Sequence, residues 1–502
     1  MLWALLAVSL LLTALGIWHG LSLTSASFEL GHRFPARSDE GEYWFMAKQL
    51  LAGEVVTQRK GQISHRSVLY GASLAPILWA YGVDAHGMRA CRIFHVALAG
   101  TLPFLTSLLT LQLVGRRRLG VIAAAVVLPL VAWNELVWKS ARRLVPDTSA
   151  AVLLLVGCLL LLGALESRRH YLRAFAGGVL LATAALFEYA LLPAVLAACA
   201  HLGYRTIRQA LRSRTPGAWS GFQLPALALV ATLGALTVVA ALGFRNQAHT
   251  GKLFISSKGG VNFYIGNNEH AIGRYKGVSY KNAPRGELER ARYFWKKAGI
   301  YIARRPKHFA TGLWKKWCRL RRELGKQYVI AGVRLDLFAH LLLYGLLANG
   351  LLALAAPLSR QQLAAGFLGV LALANVVLVV LVFVYWRYVL SVVLFGPVVG
   401  AAVVCRWGTW GWRQFLRHFL LATGFGARPP SPASESTGAT PRGSAVSGCV
   451  GISSWWTSCQ RGCGLQNTIR ADGGDRGGGA PVRNVSTSDD SIGPHRRDSR
   501  AG

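Results

Sequence analysis

The chain has 502 residues, of which 53% are hydrophobic and only 15% are charged. A soluble domain carries about 25% charged residues, so this composition argues against a large soluble enzyme and against a disordered chain. Lys and Arg number 56 against 21 Asp and Glu, a net charge of +35. Long apolar runs separate the basic clusters, which excludes nucleic acid as the partner and indicates a membrane protein with basic surface loops.

About 20 consecutive apolar residues cross a bilayer as a helix. The first such run, residues 2–18, has no basic segment and no clear cleavage site, so we expect a retained anchor. Residues 174–203 are too long for one crossing and predict two short helices that meet at Glu188. Residues 68–83 contain Pro76, which favours an interfacial or re-entrant helix. The remaining predicted spans are 91–114, 119–138, 147–165, 222–243, 334–357, 363–384 and 388–405. The total is about ten crossings.

The short connections predict the orientation, because Lys and Arg concentrate in cytoplasmic loops. With the N-terminus inside, the cytoplasmic connections are 115–118, 168–173, 205–214 and the one with Arg360, and all are basic. The outer segments are then residues 19–90, 139–146, the Glu188 junction, 244–333 and 385–387. The loop 244–333 is also basic, but the charge rule does not apply to loops longer than about 60 residues.

Two parts of the chain differ in composition. Residues 1–426 are predicted to form the polytopic membrane domain, whereas residues 427–502 are rich in Gly, Ser, Arg and Pro. The second part lacks the apolar periodicity of a folded segment, so we expect a disordered tail. It holds 9 of the 56 basic and 6 of the 21 acidic residues, so the basicity belongs to the membrane domain.

The first outer segment carries Asp39, Glu40 and Glu42 at the start of a predicted helix that ends at Gly53. Acids in a first turn complement the helix dipole and can cap it. Three carboxylates within four residues, in a membrane domain with 15 acids, also indicate a general base that takes a proton from an acceptor hydroxyl. The sequence leaves both interpretations open.

Two further acids are predicted on the same face. Asp147 follows Arg142, Arg143 and Pro146 and begins a span, where it can serve as a helix N-terminus or as a second acid of a site. Glu188 lies between apolar turns, where a carboxylate is costly and is a functional candidate. Its alternative is simple exposure at the tip of a helical hairpin.

The long outer loop combines Lys258 with a Gly- and Asn-rich stretch that includes Asn262, Asn267 and Asn268. Such a stretch predicts left-handed backbone and exposed amides that hold a phosphate or a sugar, or else plain turn chemistry. Residues 287–322 follow as a basic amphipathic helix of the headgroup layer. Arg387, near the last span, either snorkels to the membrane surface or neutralises a lipid phosphate.

Several of these elements together resemble a known group of membrane enzymes. They are Asp39-Glu40-x-x-Tyr43 after the first crossing, Asp147 at a later outer helix start, the stretch from Arg245 to Asn268, and an Arg-Tyr pair at Arg387. In this order and on one membrane side they resemble the GT-C glycosyltransferases, most closely the bacterial protein-mannosyltransferase and aminoarabinose transferase superfamily. The resemblance covers roughly residues 1–405.

The resemblance implies a GT-C-like, all-α polytopic membrane fold with extracytoplasmic interfacial helices. It also implies transfer of a sugar from a polyprenyl-phosphate donor to a hydroxyl of a protein, lipid or glycan acceptor at the outer face of the inner (plasma) membrane. Asp39 is then the base or the acid that orients the acceptor, Glu40 supports it, and Asp147 is the second acid. The remaining site residues are then expected to bind the donor phosphate or the substrate: Tyr43, Arg142, Arg143, Glu188, Lys258, Asn262, Asn267, Asn268 and Arg387.

Two departures from the family pattern stand out. The expected Pro-Pro pair is replaced by Ser67-Val68-Leu69-Tyr70, and the expected Thr-Lys pair by a segment centred on Glu188. An acid in place of that lysine puts the usual donor-phosphate contact in doubt. No cofactor is predicted and a divalent metal requirement stays open. The alternative function is a transporter or flippase of a lipid-linked anion, which would favour charges in the middle of several spans and two related halves.

Overall fold

The structure is a computed structural model of the chain. It describes residues 7–8, 11, 13–18, 21–22, 39–57, 62–63, 65–115, 118–167, 170–212, 223–272, 279–280, 282–330, 333–334, 336–355, 360–382, 384, 389–402 and 405. All of them fall in the first of two units, Met1–Ala433; the second, Ser434–Gly502, contains most of the predicted tail and lies outside the described residues. Described positions of the first predicted span, including residues 13–18, are helical.

The described chain is helical apart from one two-residue antiparallel ladder. In chain order the helices are α1 (Asp39–Leu51), α2 (Val68–Tyr81), α3 (Ala85–Val114), α4 (Arg118–Ala132), α5 (Glu135–Ala141), α6 (Asp147–Ser167), α7 (Tyr171–Phe187), α8 (Leu192–Arg212), α9 (Gln223–Thr250), α10 (Lys258–Gly266), α11 (Glu287–Arg304), α12 (Pro306–Gly325), α13 (Asp336–Ala355), α14 (Arg360–Leu381) and α15 (Val389–Ala402). A 3₁₀ turn, Tyr189–Leu191, joins α7 to α8, and strands β1 (Val329–Ile330) and β2 (Val333–Arg334) follow α12.

Five described stretches are long and apolar enough to cross a membrane: they lie in α3, α6, α9 and α14 and in Tyr189–Arg208, which includes most of α8. The bent pair α4 and α5 makes a sixth if it is one span, and α2, α7, α15 and most of α13 are shorter apolar helices. On α9, Leu229, Leu233 and Leu236 are about half exposed or more. A stripe of exposed leucines at helical spacing is what lipid contact requires. The protein is therefore an all-α polytopic membrane protein, and the number of ten crossings stays a prediction.

The predicted span 119–138 is not one straight helix. It is broken between α4 and α5, whose axes differ by 53°. The cause is local: Asn134 has extended backbone and its side chain accepts a hydrogen bond from the Leu136 N–H at 3.0 Å, so it caps a new helix. Pro129, one turn before the end of α4, removes a further helical hydrogen bond.

The predicted amphipathic helix 287–322 is wrong as a single helix, because α11 ends at Arg304 and α12 begins at Pro306, whereas other predicted elements agree with the structure. The stretch 174–203 forms two helices separated at Glu188 and the 3₁₀ turn, as predicted. Helix α2 has 14 residues, too few to span, and its Trp79 and Tyr81 are exposed. The loop predicted to begin at residue 244, however, begins later, because α9 continues to Thr250. Gly251, which follows with φ +70°, terminates the helix.

The core of the bundle is one contiguous apolar cluster with residues from α1 to α9 and α12 to α15. Glycines allow its closest contact, between α7 and α9. A Cβ added at Gly178 would lie 1.8 Å from the Ala231 carbonyl oxygen, and one at Gly234 would lie 2.4 Å from that of Phe175. Helices α10 and α11 pack separately through Val261, Ile265 and Phe294.

Candidate active site

The two adjacent acids at the start of α1 each face an arginine from a different element. The Asp39 carboxylate lies 2.7 Å from the Arg66 guanidinium, just before α2, and the Glu40 carboxylate lies 3.7 Å from that of Arg92 in α3. The Asp39 side chain is 35% exposed and that of Glu40 is 20% exposed. Both acids are therefore held in place, and Asp39 is the more accessible of the two.

Glu40 also joins the first outer segment to the second. Its carboxylate accepts a hydrogen bond from the Leu144 N–H, and the charge of the exposed Arg143 acts on it. Burial raises the pKa of Glu40 above its usual value, although Arg92, Arg143 and the Leu144 hydrogen bond oppose this rise. Leu144 is three residues before Asp147, so the predicted catalytic acids belong to contacting segments.

Asp147 and Glu188 line one cavity. Its empty volume is about 350 Å³, open solvent included, and its remaining lining is apolar except for Asn375 and Ser391. Asp147 is the first residue of α6 and is 3% exposed, whereas Glu188 is half-buried. The structure thus brings together two acids that are 41 positions apart in the sequence.

An aromatic cluster fills the space between α1, α2 and the Glu188 junction. The Tyr43 and Tyr70 rings meet edge to face at 4.7 Å, and Tyr70 has the same kind of contact with Phe187 at 5.7 Å. The Tyr70 hydroxyl lies 2.9 Å from the His95 Nε2 atom. Tyr43 is 3% exposed, so its predicted role in substrate binding is not supported: it packs the site from behind.

The third outer segment is tied to the first by Arg245 and Glu287. Arg245, near the end of α9, donates hydrogen bonds to the carbonyl oxygens of Val56 at 2.6 Å and Ile63 at 3.3 Å. Glu287 accepts from the Ile63 N–H at 2.8 Å and from the Ser257 hydroxyl at 2.6 Å. These contacts hold the start of α10 next to the loop that carries Arg66.

Lys258 is the first residue of α10, and its charge acts on His65 in this loop. Burial, with the cations Lys258, Arg66 and Arg290 around it, lowers the pKa of His65 to about 3. His65 is therefore neutral at physiological pH, and its surroundings are strongly cationic. This concentration of positive charge beside Asp39 is suited to an anionic group.

The Gly- and Asn-rich stretch is not the open loop that its composition predicts. Asn262 is half-buried within α10, and the side chains of Asn267 and Asn268 are buried at its end. Their amide groups bond to backbone carbonyls, Asn267 to Phe263 and Leu381 and Asn268 to Tyr264 and Ile265. The expectation of exposed amides is wrong for these two residues.

The reason lies in helix packing. A Cβ at Gly260 would lie 2.1 Å from the Ala291 carbonyl oxygen, so this glycine serves the close approach of α10 to α11. Among the described glycines of the stretch 251–273, positive φ occurs only at Gly251.

Two predicted cations have different outcomes. The Arg142 Nε–H bonds back to the Trp138 carbonyl at 3.4 Å, which completes the end of α5, so its side chain is engaged locally. Arg387 lies outside the described residues, and its role stays a prediction.

The sequence analysis missed Arg66, Arg92 and Lys316. Lys316 of α12 is 1% exposed, and its ammonium donates to Asn267 Oδ1 at 2.8 Å and to the Leu381 carbonyl at 3.2 Å; burial lowers its pKa to about 8. These two hydrogen bonds connect the end of α14, at Leu381, to the end of α10, at Asn267. The scarcity of acids is the signal that points to Arg66 and Arg92, since each acid of the site needs a cation. Nothing in the basic pattern of 287–322 singles out Lys316.

Within the described part of the chain, no group of three or more His, Cys, Asp or Glu side chains is placed to hold a metal ion. The acids of the site are arranged in pairs with arginines or across the cavity.

No protein-family model and no curated protein match the chain. Among solved structures it is similar to the archaeal oligosaccharyltransferase AglB from Archaeoglobus fulgidus, in complex with an inhibitory peptide and a dolichol-phosphate. The match has a TM-score of 0.42 and 12% sequence identity, and it covers 84% of this chain and 52% of that one. The chain thus spans about half the length of that protein. At this TM-score the match identifies neither the family nor the activity of this chain.

Proposed function

We propose that this protein is a membrane glycosyltransferase of the GT-C type, which moves a sugar from a polyprenyl-phosphate donor to an extracytoplasmic acceptor hydroxyl. The observation that carries the proposal is the meeting of three outer segments at one place. Glu40 bonds to the Leu144 N–H, Asp147 and Glu188 share a cavity, and Arg245 and Glu287 bind the first loop.

The proposed reaction assigns a part to each charged group. The acceptor hydroxyl attacks the anomeric carbon and gives its proton to the Asp39 carboxylate, while the bond from that carbon to the phosphate oxygen breaks. Arg66 orients Asp39. Lys258, with Arg387 as a second cation, stabilises the departing lipid phosphate. Asp147 is the second acid, at the entrance of the cavity.

The position of the acids favours transfer over transport. Asp147 is the first residue of its span and Glu188 lies at the break between two helices, so both are at helix ends. A transport path for an anion would place ionisable groups near the middle of several spans. The donor reaches such a site from the surrounding lipids of the inner membrane, and the acceptor, a protein, lipid or glycan, reaches it from outside.

The test uses membranes from cells that produce the wild type, Asp39→Asn or Asp84→Asn. Radiolabelled mannose, glucose or arabinose on polyprenyl phosphate serves as the donor, and transfer to endogenous acceptor is measured. We expect Asp39→Asn to lose about 100-fold or more of the rate, because general-base catalysis contributes about 10²–10⁴-fold. Asp84, an exposed acid that caps α3, is the matched control and should leave the rate unchanged. Transfer by Asp39→Asn membranes at the wild-type rate would overturn the proposal.

A further inference from the structure

The cavity contains polar groups to which the proposed reaction gives no role. Asn375 of α14 and Ser391 of α15 line the same cavity as Asp147 and Glu188. The rest of its lining is alanine and leucine, among them Ala150, Ala151 and Ala190. Its empty volume of about 350 Å³ includes open solvent.

Asn375 is 3% exposed and incompletely hydrogen-bonded. Its amide nitrogen donates to the Ser391 hydroxyl oxygen, while its Oδ1 atom is buried without a partner in the described structure. Rotation of the amide by 180° exchanges the two atoms and leaves the nitrogen unpaired instead. In either orientation one polar atom of this cavity-lining amide is buried without a hydrogen bond. A buried polar group in this state is destabilising unless a ligand satisfies it.

Asn375 lines the same cavity as the acids but comes from a different helix. Leu154, which also lines the cavity, is seven residues after Asp147 in α6, so the lining extends about 10 Å along that helix. Asn375 lies six residues before the end of α14, about 9 Å from it. Because Asp147 and Asn375 line one cavity, a single bound group can contact both.

We propose that Asn375, together with Ser391, binds a ring hydroxyl of the transferred sugar and so determines which sugar is accepted. This inference rests on the proposed function and adds to it a residue that recognises the sugar. A pyranose or furanose ring has apolar C–H faces that suit the alanines and hydroxyls that suit the amide. A site built to bond a hydroxyl discriminates strongly against a ligand that lacks one, because its buried polar group is then left unpaired.

The test measures binding to the purified full-length protein in lipid nanodiscs, followed by intrinsic tryptophan fluorescence. The probes are polyprenyl phosphate alone and polyprenyl phosphate that carries mannose, glucose or arabinose. We expect Asn375→Ala to weaken binding of the preferred sugar-carrying lipid about tenfold, as for the loss of one hydrogen bond to a ligand, and to leave binding of the bare lipid unchanged. Ser391→Ala, which changes little volume, should act in the same direction.

The matched control is Asn349→Ala. Asn349 of α13 also lies in a membrane helix and donates to the Ala365 carbonyl at 2.9 Å, but it does not line the cavity. It should leave both affinities unchanged. Equal weakening of sugar-carrying and bare lipid by Asn375→Ala, or no weakening by either cavity variant, would overturn the inference and leave the proposed function standing. If the wild type binds none of the sugar-carrying lipids more tightly than the bare lipid, the proposed donor fails, and the inference with it.

Discussion

Most cations of this protein have no acid to pair with, since 56 Lys and Arg face 21 Asp and Glu. The ion pairs that do form at α1 are therefore informative. Arg66 and Arg92 hold Asp39 and Glu40 at 2.7 and 3.7 Å, and the charges of Lys258 and Arg290 act on His65 in the same loop. At the scale of single residues, the proposed site combines a carboxylate held by an arginine with a positive field that suits an anionic group.

His65 should make the stability of the protein sensitive to acid. Its pKa is about 3 in the folded chain, because of burial and of the nearby Lys258, Arg66 and Arg290, against an ordinary value of 6.5. Between these two values the unfolded chain binds the proton and the folded chain does not, so stability falls as the pH falls from 6.5 toward 3. We expect His65→Gln to reduce the loss of thermal stability between pH 7.5 and pH 5, measured by thermal unfolding in detergent.

The control for this measurement is His86→Gln. His86 is exposed in the first turn of α3, so its replacement should leave the pH dependence unchanged. A His65→Gln protein that loses stability with falling pH as steeply as the wild type would contradict the prediction.

At the scale of elements, apolar length and the break at Glu188 were predictable, and the break at Asn134 and close packing were not. The sequence predicts the break at Glu188, because no single helix of 30 residues suits that run. The break at Asn134 was missed because a side-chain cap in an apolar run gives no change in composition. The stretch around Asn267 was misread for a related reason: glycine and asparagine favour turns in isolation, but here Gly260 admits a neighbouring helix and the amides bond to buried backbone.

The contact of α7 with α9 supplies a test of packing at this scale. We expect Gly178→Ala to lower the free energy of unfolding by about 1–3 kcal/mol, because its Cβ would lie 1.8 Å from the Ala231 carbonyl oxygen and the helices must separate. Denaturant-induced unfolding of the detergent-solubilised protein measures the change.

Gly203→Ala is the comparison for this test. Gly203 also lies within a helix, α8, but a Cβ there meets nothing within 4 Å. Alanine is the better helix former by about 0.5–1 kcal/mol, so this variant should be as stable as the wild type or more stable. Equal destabilisation by both substitutions would show that the packing of α7 on α9 does not depend on Gly178.

At the scale of the whole molecule, contacts and charge give independent information about topology. Contacts show that residues 19–90, 139–146 and 244–333 share a side, because Glu40 bonds to Leu144, and Val56 and Ile63 bond to Arg245 and Glu287. They do not reveal which side it is. The charge rule predicts the outer side, since the four short connections expected on the opposite side are basic. An extracytoplasmic site thus requires both arguments to hold.

Reporter domains inserted into the full-length chain after positions 60, 290 and 215 separate the two arguments. The reporter is active only outside the cytoplasm, and a second reporter, active only in the cytoplasm, serves as its complement. We expect positions 60 and 290 to be extracytoplasmic, because their segments are in contact and lie opposite the basic connections, and position 215 to be cytoplasmic. Opposite signals at 60 and 290 would contradict the contacts themselves. A cytoplasmic signal at both, with 215 outside, would preserve the shared site but reverse its orientation, and a lipid-linked donor would then have to be used on the inner face.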